Sequence, residues 1–169
     1  NPSYNMDENT RVFINLSSAF KVPSLYQLYN QPYNNKDLQP EKSTNYELGV
    51  QALTNNKQNS LRLVAFKRDI KDVIVFYTDP VTYDSKYINR DEQHDYGFEV
   101  ESSFAIGKIG QWITNFTYVD GEGKDGNSKV KNLYRRPNFS MNSNLTLEPV
   151  KNLTIMPGAR FVGSRTKGE

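Results

Sequence analysis

Apolar and polar residues alternate along several stretches of this chain with a period of two. Within residues 138–147, Phe139, Met141, Leu145 and Leu147 fall on one side of an extended chain, and Asn, Ser and Thr fall on the other. Side chains alternate across a strand with this period, whereas a helix would scatter the same residues around its circumference. The pattern therefore predicts a strand with one apolar face and one polar face.

The same alternation recurs in two other parts of the chain. Four apolar residues, Tyr96, Phe98, Val100 and Phe104, alternate with Gly97, Glu99, Glu101 and Ser103, and a third run covers residues 153–161. Each run is close to the roughly 9–11 residues that a tilted strand needs to cross a bilayer. The first and last aromatic rings of the second run would lie roughly 20 Å apart along the membrane normal. We therefore expect lipid to contact the apolar face.

Seven antiparallel strands are predicted, at residues 10–19, 44–53, 60–77, 86–104, 111–120, 138–147 and 153–163. Short connections at 54–59, 105–110 and 148–152 alternate with longer ones at 20–43, 78–85 and 121–137. Outer-membrane barrels have this asymmetry between their two ends. The chain is thus predicted to be all-β, an antiparallel up-and-down meander forming part of a transmembrane barrel wall. Residues 73–77 and 87–89 are expected to project beyond the membrane as a hairpin closed by Asp79 and Pro80.

Composition supports a folded chain with a hydrated interior. Hydrophobic residues make up 36% and aromatics 12%, yet the mean hydropathy of −0.74 is low for 169 residues that should bury a sizeable core. Asn, Ser and Thr fill the polar faces, where a soluble sandwich would carry charge. The net charge of +2 is too small for a nucleic-acid footprint, so no nucleic-acid partner is expected.

Candidate catalytic chemistry is sparse. His94 is the only histidine, the chain has no cysteine, and no nucleophile or phosphate-binding motif occurs. Glu99 and Glu101 could form a glycosidase-type carboxylate pair, but inward carboxylates are ordinary in barrel lumens. We therefore expect no enzyme activity, metal site or cofactor. Arg135 and Arg136 before Pro137 could bind an anion or form a charged rim.

Two adjacent segments carry a family resemblance. Residues 17–29, S-S-A-F-K-V-P-S-L-Y-Q-L-Y, and residues 35–49, N-K-D-L-Q-P-E-K-S-T-N-Y-E-L-G, resemble the barrel signature of TonB-dependent outer-membrane receptors. The matching residues are Ala19, Phe20, Lys21, Pro23, Leu38, Pro40, Glu41, Ser43, Asn45, Glu47 and Gly49. Gly97, Glu99 and the Arg136-Pro137 pair resemble later parts of the family pattern, so the likeness covers almost the whole chain.

The resemblance implies active import of a scarce nutrient across the bacterial outer membrane. In this family a ferric siderophore, haem or cobalamin passes through a 22-stranded barrel whose plug is rearranged by the TonB complex. The order of segments is most similar to cobalamin receptors. The plug domain and the last strands are absent from residues 1–169, so we expect a fragment of the barrel domain that cannot transport alone. Its expected partners are outer-membrane lipid, TonB through the plug, and a small-molecule or metal-chelate ligand.

The signature also suggests roles for individual residues. Pro23 and Pro40 stop strand pairing where the wall gives way to a loop. Phe20, Lys21, Leu38, Glu41, Glu47 and Gly49 are expected to be structural. Tyr26, Tyr29 and Tyr33 lie in that loop and are expected either to contact the ligand or to cap the barrel rim.

Two other classes of protein remain open. A soluble all-β carbohydrate-binding module would also show alternation and surface aromatics, but it predicts charged outer faces and turns of mixed length. A passive porin-type barrel would share the wall and lack the signature between Ala19 and Gly49. The first alternative requires that a second protein layer cover the apolar face.

Overall fold

The computed structural model describes residues 1–125, 128–131 and 136–165. Its strands are β1 (Ser3–Asn5), β2 (Thr10–Lys21), β3 (Glu41–Leu53), β4 (Ser60–Thr78), β5 (Ser85–Ile106), β6 (Gly110–Asp125), β7 (Ser128–Lys131), β8 (Phe139–Val150), β9 (Leu153–Ile155) and β10 (Gly158–Val162). They form one sheet in the order β1-β2-β3-β4-β5-β6-β8-β10, with β7 on β6 and β9 on β8. The predicted all-β antiparallel meander is confirmed, and the total of 22 strands stays a prediction.

Several strand boundaries differ from those predicted. β1 was not expected, and the predicted strand at 153–163 is divided into β9 and β10 around Pro157, which cannot donate a ladder hydrogen bond. The predicted connection 121–137 begins as strand, because β6 continues through Gly121 and Gly123 to Asp125 and pairs with β7. The partner strand β5 supplies the ladder as far as Gly123.

The two faces of the sheet follow the predicted alternation. On one face, Val100 pairs with Leu63 and Phe116, and the rings of Phe98 and Tyr118 stack with centroids 5.6 Å apart. We call this the apolar face. On the other, the polar face, Glu101 lies between Arg62 and Asn115, its register partners on β4 and β6.

No second layer covers the apolar face within the described ranges. Leu16 is 63% exposed, Phe161 60% and Phe98 45%, although all three lie in strands. The buried hydrophobic residues among those described are Leu38, Val64 and Val119, far fewer than a soluble domain of this length needs. The requirement of a soluble binding module is therefore not met.

Successive connections lie at opposite ends of the sheet. The connection at 79–84 has six residues, as many as the one at 54–59, so the extra length of the β4–β5 hairpin lies in its strands and the turn itself is short. The turns at 54–59, 107–109 and 151–152 lie at one end, which we call the short-turn end. The long-loop end carries residues 22–40, with the helix α1 (Leu25–Tyr29), and the turn at 79–84. Among the residues that the structure describes, no helix has the length and apolar character needed to cross a membrane.

The β4–β5 hairpin extends beyond its neighbours, as predicted. β3 pairs with β4 as far as Lys71, whereas β4 and β5 continue to pair up to Thr78 and Ser85. A bulge interrupts this ladder where Asp72 adopts a positive φ of 59°. An extra residue of this kind bends a strand and increases its local twist.

Acid should loosen the tip of this hairpin. The Asp79 carboxylate accepts hydrogen bonds from the backbone N–H groups of Thr82, at 3.0 Å, and Val81, at 2.8 Å, and these bonds lower its pKa. A lowered folded-state pKa gives stabilisation that is present above the unfolded pKa and lost as pH falls through the folded one. We expect protection of both amides against hydrogen exchange to fall below about pH 4. Asp79→Asn should abolish this dependence, and an unchanged one would contradict the assignment.

Candidate functional site

The signature residues surround the point where β2 leaves the sheet and β3 re-enters it. Lys21 and Glu41 face each other in register, with Nζ 3.2 Å from Oε2. The other oxygen of Glu41 accepts a hydrogen bond from the backbone N–H of Ile74 at 3.0 Å, beyond the bulge in β4. Glu41 therefore connects three strands at the long-loop end. Phe20 lies on the apolar face beside them and is 73% exposed.

The loop between β2 and β3 has local order of its own. Pro23 precedes Ser24, which caps α1 by accepting from the N–H of Gln27, while the Gln27 side chain accepts from the N–H of Ser24 at 2.8 Å. This capping box satisfies donors that a short helix would otherwise leave free. Leu38 is buried, and two residues later Pro40 precedes the first residue of β3.

Gly49 accommodates an aromatic ring on the polar face. It pairs with Phe13, and a Cβ at position 49 would lie 2.2 Å from Cζ of that ring. The guanidinium groups of Arg11 and Arg62 lie 6.0 and 5.3 Å from the same ring centroid. A strand glycine often marks such a close approach. Phe13 interrupts the apolar periodicity of its strand, and that interruption was the signal in the sequence.

Glu47 lies on the polar face next to this glycine. Its two oxygens accept hydrogen bonds from the side-chain amides of Asn15, at 3.1 Å, and Asn45, at 2.6 Å. Glu101 forms an ion pair with Arg62 at 3.0 Å, which agrees with the expectation of inward carboxylates facing basic residues. No group of three residues suited to bind a metal ion occurs in the described part of the chain.

His94 lies in β5 on the apolar side of the sheet, toward the long-loop end. Its Nδ1 is 2.7 Å from Oδ1 of Asp69, and its Nε2 is 3.7 Å from Glu92. His94 therefore contacts carboxylates on β4 and on its own strand, on the long-loop side of the apolar residues.

The loop docks on the projecting hairpin through backbone and amide hydrogen bonds. The N–H of Tyr87 donates to the carbonyl oxygen of Tyr33 at 3.2 Å, and the Asn35 amide donates to the carbonyl oxygen of Tyr87 at 2.9 Å. Asn89 accepts from the N–H of Gln39 at 2.7 Å and donates to its carbonyl oxygen at 2.8 Å. Loop and hairpin thus form one unit.

Aromatic rings fill the contact between loop and hairpin. Phe76 lies 5.4 Å from Tyr33 and 5.2 Å from Tyr87, and Tyr26 lies 6.3 Å from Tyr87, all edge to face. We call these four residues the mouth cluster. Tyr29 lies outside it, with Nζ of Lys36 5.8 Å from its ring centroid.

The three tyrosines chosen from the sequence are therefore divided by the structure. Tyr26 and Tyr33 share the mouth cluster, while Tyr29 does not. All three remain accessible, with exposures of 56% for Tyr26, 60% for Tyr29 and 40% for Tyr33. Sequence reasoning missed Phe76 and Tyr87, which come from the hairpin more than forty positions away along the chain.

Asn89→Ala should release the loop from the hairpin. The change removes two hydrogen bonds to Gln39 and one from Nδ2 to the carbonyl oxygen of Asp72 at 2.7 Å. At about 1 kcal/mol per bond, amides of residues 33–39 should exchange at least about tenfold faster by mass spectrometry. Asn56→Ala at the short-turn end should leave these amides unchanged. Equal exchange in the two variants would contradict the docked arrangement.

Asp95, on the polar face of β5, is fully buried and holds two arginines. Arg68 and Arg136 both bond to its Oδ2, and Gln93 donates to its Oδ1 at 2.9 Å. Of the basic pair picked out in the sequence, Arg136 lies here and Arg135 falls outside the described residues.

Comparison with protein families identifies the class of barrel to which this sheet belongs. Residues 3–169 match the family described as TonB dependent receptor-like, beta-barrel. The chain belongs to this family. TonB-dependent receptors are barrels of the outer membrane, and barrels of this kind turn their apolar face to lipid and their long loops outward. The match does not support a passive porin or a soluble binding module.

Individual relatives of this TonB-dependent receptor chain agree with the family. The iron-regulated outer membrane virulence protein of Vibrio cholerae is 26% identical over 98% of this chain and 28% of its own length. Among solved structures, the ferric-catecholate import receptor Fiu from E. coli K12 superposes with a TM-score of 0.78, at 21% identity, over 98% of this chain and 24% of Fiu. The ferric enterobactin receptor mutant Q482A of Pseudomonas aeruginosa, in complex with enterobactin, gives 0.77 at 18% identity, over 98% of this chain and 27% of that receptor. The chain thus spans about a quarter of the relatives it matches.

Proposed function

We propose that this chain is part of the barrel wall of an outer-membrane receptor that imports a ferric siderophore with energy supplied through TonB. The rest of the receptor would contribute the plug domain, the TonB contact and the remaining strands of a 22-stranded barrel. In support, the eight strands of the main sheet path match only about a quarter of the solved receptors. An open sheet with uncovered edges needs such partners.

The observation that carries the choice of ligand is the agreement among the relatives. The Vibrio cholerae protein is named for iron regulation, and the two structures above are named for ferric catecholate and ferric enterobactin. A further structure of the same fold is named as the copper transporter OprC, at a TM-score of 0.71, so the fold alone does not choose the cargo. We therefore place a ferric siderophore ahead of the cobalamin that the segment order suggested.

The mouth cluster is the proposed first contact for that ligand. Tyr26 and Tyr33 present accessible rings on a docked loop, and Lys36 adds a cation beside Tyr29. Catecholate chelates offer flat rings and negative charge, which aromatic stacking and a cation can recognise together. Because the loop is already fixed to the hairpin, binding would require little further ordering.

Uptake by the full-length receptor tests the proposal. In iron-limited cells lacking other iron receptors, its expression should restore uptake of a radiolabelled ferric tris-catecholate, and deletion of tonB should abolish it. Uptake that survives the deletion would indicate a passive pore. Restored uptake of cobalamin in place of iron would overturn the choice of ligand while leaving active transport intact.

Replacing the two tyrosines should weaken ligand capture. Tyr26→Ala and Tyr33→Ala should each raise the Kd for the ferric tris-catecholate about fivefold, since loss of one ring contact costs about 1 kcal/mol. Tyr83→Ala is the matched control, because Tyr83 lies in the hairpin turn outside the mouth cluster and is 79% exposed. Unchanged binding in both variants would contradict ligand contact and would show that these tyrosines only cap the barrel rim.

A further inference from the structure

Apolar side chains continue past the end of β2 and into the loop that follows. Phe20, near the end of β2, is 73% exposed, Val22 directly after the strand is 61% exposed, and Leu25, the first residue of α1, is 76% exposed. We call these three residues the rim patch. Adjacent apolar side chains left uncovered in this way mark an interaction surface.

The register of the sheet shows how the strands tilt in the membrane. Ile14 on β2 lies in the same register row as Phe98 on β5, three strands away. Counted from this row toward the short-turn end, the last large apolar residue of the apolar face is two residues away on β2, four on β4 and eight on β8, namely Val12, Leu61 and Leu147. A band of lipid-facing residues stays level in a membrane, so β2 is displaced toward the short-turn end relative to β5 and β8.

This tilt places Phe20 at the outer edge of the apolar face. Strands about 4.8 Å apart and tilted by about 40° set Ile14 roughly 9 Å lower than Phe98 along the membrane normal. Phe20 lies six residues further along β2, so it is roughly 15 Å above Ile14 and roughly 6 Å above Phe98. Tyr96, two residues from Phe98, lies roughly 5 Å above it by the same geometry. Phe20 is therefore level with Tyr96, and Val22 and Leu25 come just beyond.

A lysine accompanies the rim patch at this level. Lys42 is the register partner of Phe20 on β3, and its Nζ is 3.7 Å from Oδ2 of Asp72. The Lys42 side chain is exposed, so this ion pair contributes little and can exchange partners. Aromatic rings beside lysines are typical of the boundary between hydrocarbon and headgroups, because the long side chain can direct its charge to a lipid phosphate.

The helix α1 separates the rim patch from the mouth cluster. Tyr26 contacts Tyr87 of the hairpin with its ring. Leu25 is displaced from Tyr26 by about 100° around the helix axis, so the two side chains point in different directions. Leu25 can therefore contact the membrane while Tyr26 stays against the hairpin.

We propose that the rim patch is a lipid anchor, which inserts into the outer leaflet of the outer membrane and holds α1 at the membrane surface. The patch is continuous with the apolar face, which contacts lipid in barrels of this kind. Apolar side chains of interfacial segments reach roughly 5–10 Å into the boundary between headgroups and acyl chains. Lipid on one side and the hairpin on the other then fix the helix that presents Tyr26.

Fluorescence quenching from the lipid tests the anchor. The purified full-length receptor carries a bimane fluorophore on Leu25→Cys and is reconstituted into phosphatidylcholine vesicles whose acyl chains bear a doxyl group near the headgroup. Val81→Cys is the matched control, because Val81 is 82% exposed at the tip of the hairpin. Doxyl lipid should quench the fluorophore at position 25 at least about threefold more than at position 81, because the anchor lies within the outermost 10 Å or so of the bilayer. Iodide in the water should quench the two positions in the reverse order.

Two results of this experiment would overturn the anchor. The first is equal quenching of the two positions by doxyl lipid. The second is a fluorophore at position 25 that neither doxyl lipid nor iodide reaches, because another part of the receptor would then cover the rim patch.

Hydrogen exchange tests whether the anchor holds the helix. Leu25→Gln removes the apolar contact at nearly unchanged helix propensity. In vesicles, the amides of Leu28 and Asn30, which donate to carbonyl oxygens within α1 and its cap, should exchange about fivefold faster in this variant. Val81→Gln should leave both rates unchanged. Equal rates in the wild type and in Leu25→Gln would show that lipid does not hold α1.

The anchor and the proposed function fail separately. A receptor that imports a different cargo would still show lipid quenching at position 25. Water exposure of position 25 in a receptor with normal TonB-dependent siderophore uptake would refute the anchor alone.

Discussion

Val100→Arg should lower the free energy of unfolding of the full-length receptor by roughly 2–4 kcal/mol, the cost of an arginine at the lipid-facing midplane of a barrel. Val100 lies on the apolar face between Leu63 and Phe116, midway between the aromatic residues Tyr96 and Phe104. The measurement is urea unfolding of the receptor in lipid vesicles. The folded fraction is read from the band that shifts in gel electrophoresis only after the sample is heated.

Thr117→Arg is the matched control for this prediction. Thr117 lies opposite Glu99 on the polar face, one strand away and at nearly the same level of the wall. An arginine there would face water and a carboxylate, so the free energy of unfolding should change by less than about 1 kcal/mol. If the two variants lost stability equally, the assignment of the two faces would be wrong.

Gly97→Ala should destabilise the receptor by about 3 kcal/mol or prevent its assembly, which is at the upper end of the usual cost of overpacking. A Cβ at position 97 would lie 2.0 Å from the carbonyl oxygen of Tyr118 and 2.8 Å from Cζ of Phe66. The ring can turn, but the carbonyl belongs to the ladder between β5 and β6 and cannot retreat without breaking it. The yield of folded receptor in outer-membrane fractions measures the effect.

Gly123→Ala provides the comparison on the same face. Among the described atoms, none lies within 4 Å of a Cβ at position 123, so an added methyl group meets no backbone of the β5–β6 ladder. Gly123→Ala should assemble like the wild type. Normal assembly of Gly97→Ala as well would show that β5 and β6 can separate at this point.

The sequence was sufficient for the features that depend on neighbours along the strand. Phe98 and Val100 were assigned to one face and Glu99 and Glu101 to the other by period two alone, and the ladders confirm this. The signature around Lys21 and Glu41 correctly indicated the family.

Contacts between distant parts of the chain could not be predicted from the period-two pattern. The mouth cluster joins Tyr26 and Tyr33 to Phe76 and Tyr87. This contact forms only because the β4–β5 hairpin extends beyond the neighbouring strands and the β2–β3 loop docks on it. Nothing local to Tyr87 specifies that partner.

The burial of Asp95 on the polar face could not be predicted from the sequence either. In the sequence, Asp95 is one of several acidic residues around His94, and its burial depends on Arg68, Arg136 and the missing side chain of Gly121. Such a site arises from register, which fixes the residues that face each other across four chain segments.

The length of the β4–β5 hairpin should make its tip accessible from outside the cell. Past Lys71, residues 72–78 provide roughly 23 Å of extended chain, which carries the turn at 79–84 clear of the strands beside it. Val81 and Tyr83, each about four-fifths exposed, are the tip. An antibody raised against that turn should stain intact bacteria without permeabilisation, which would give a convenient epitope for counting receptors on living cells.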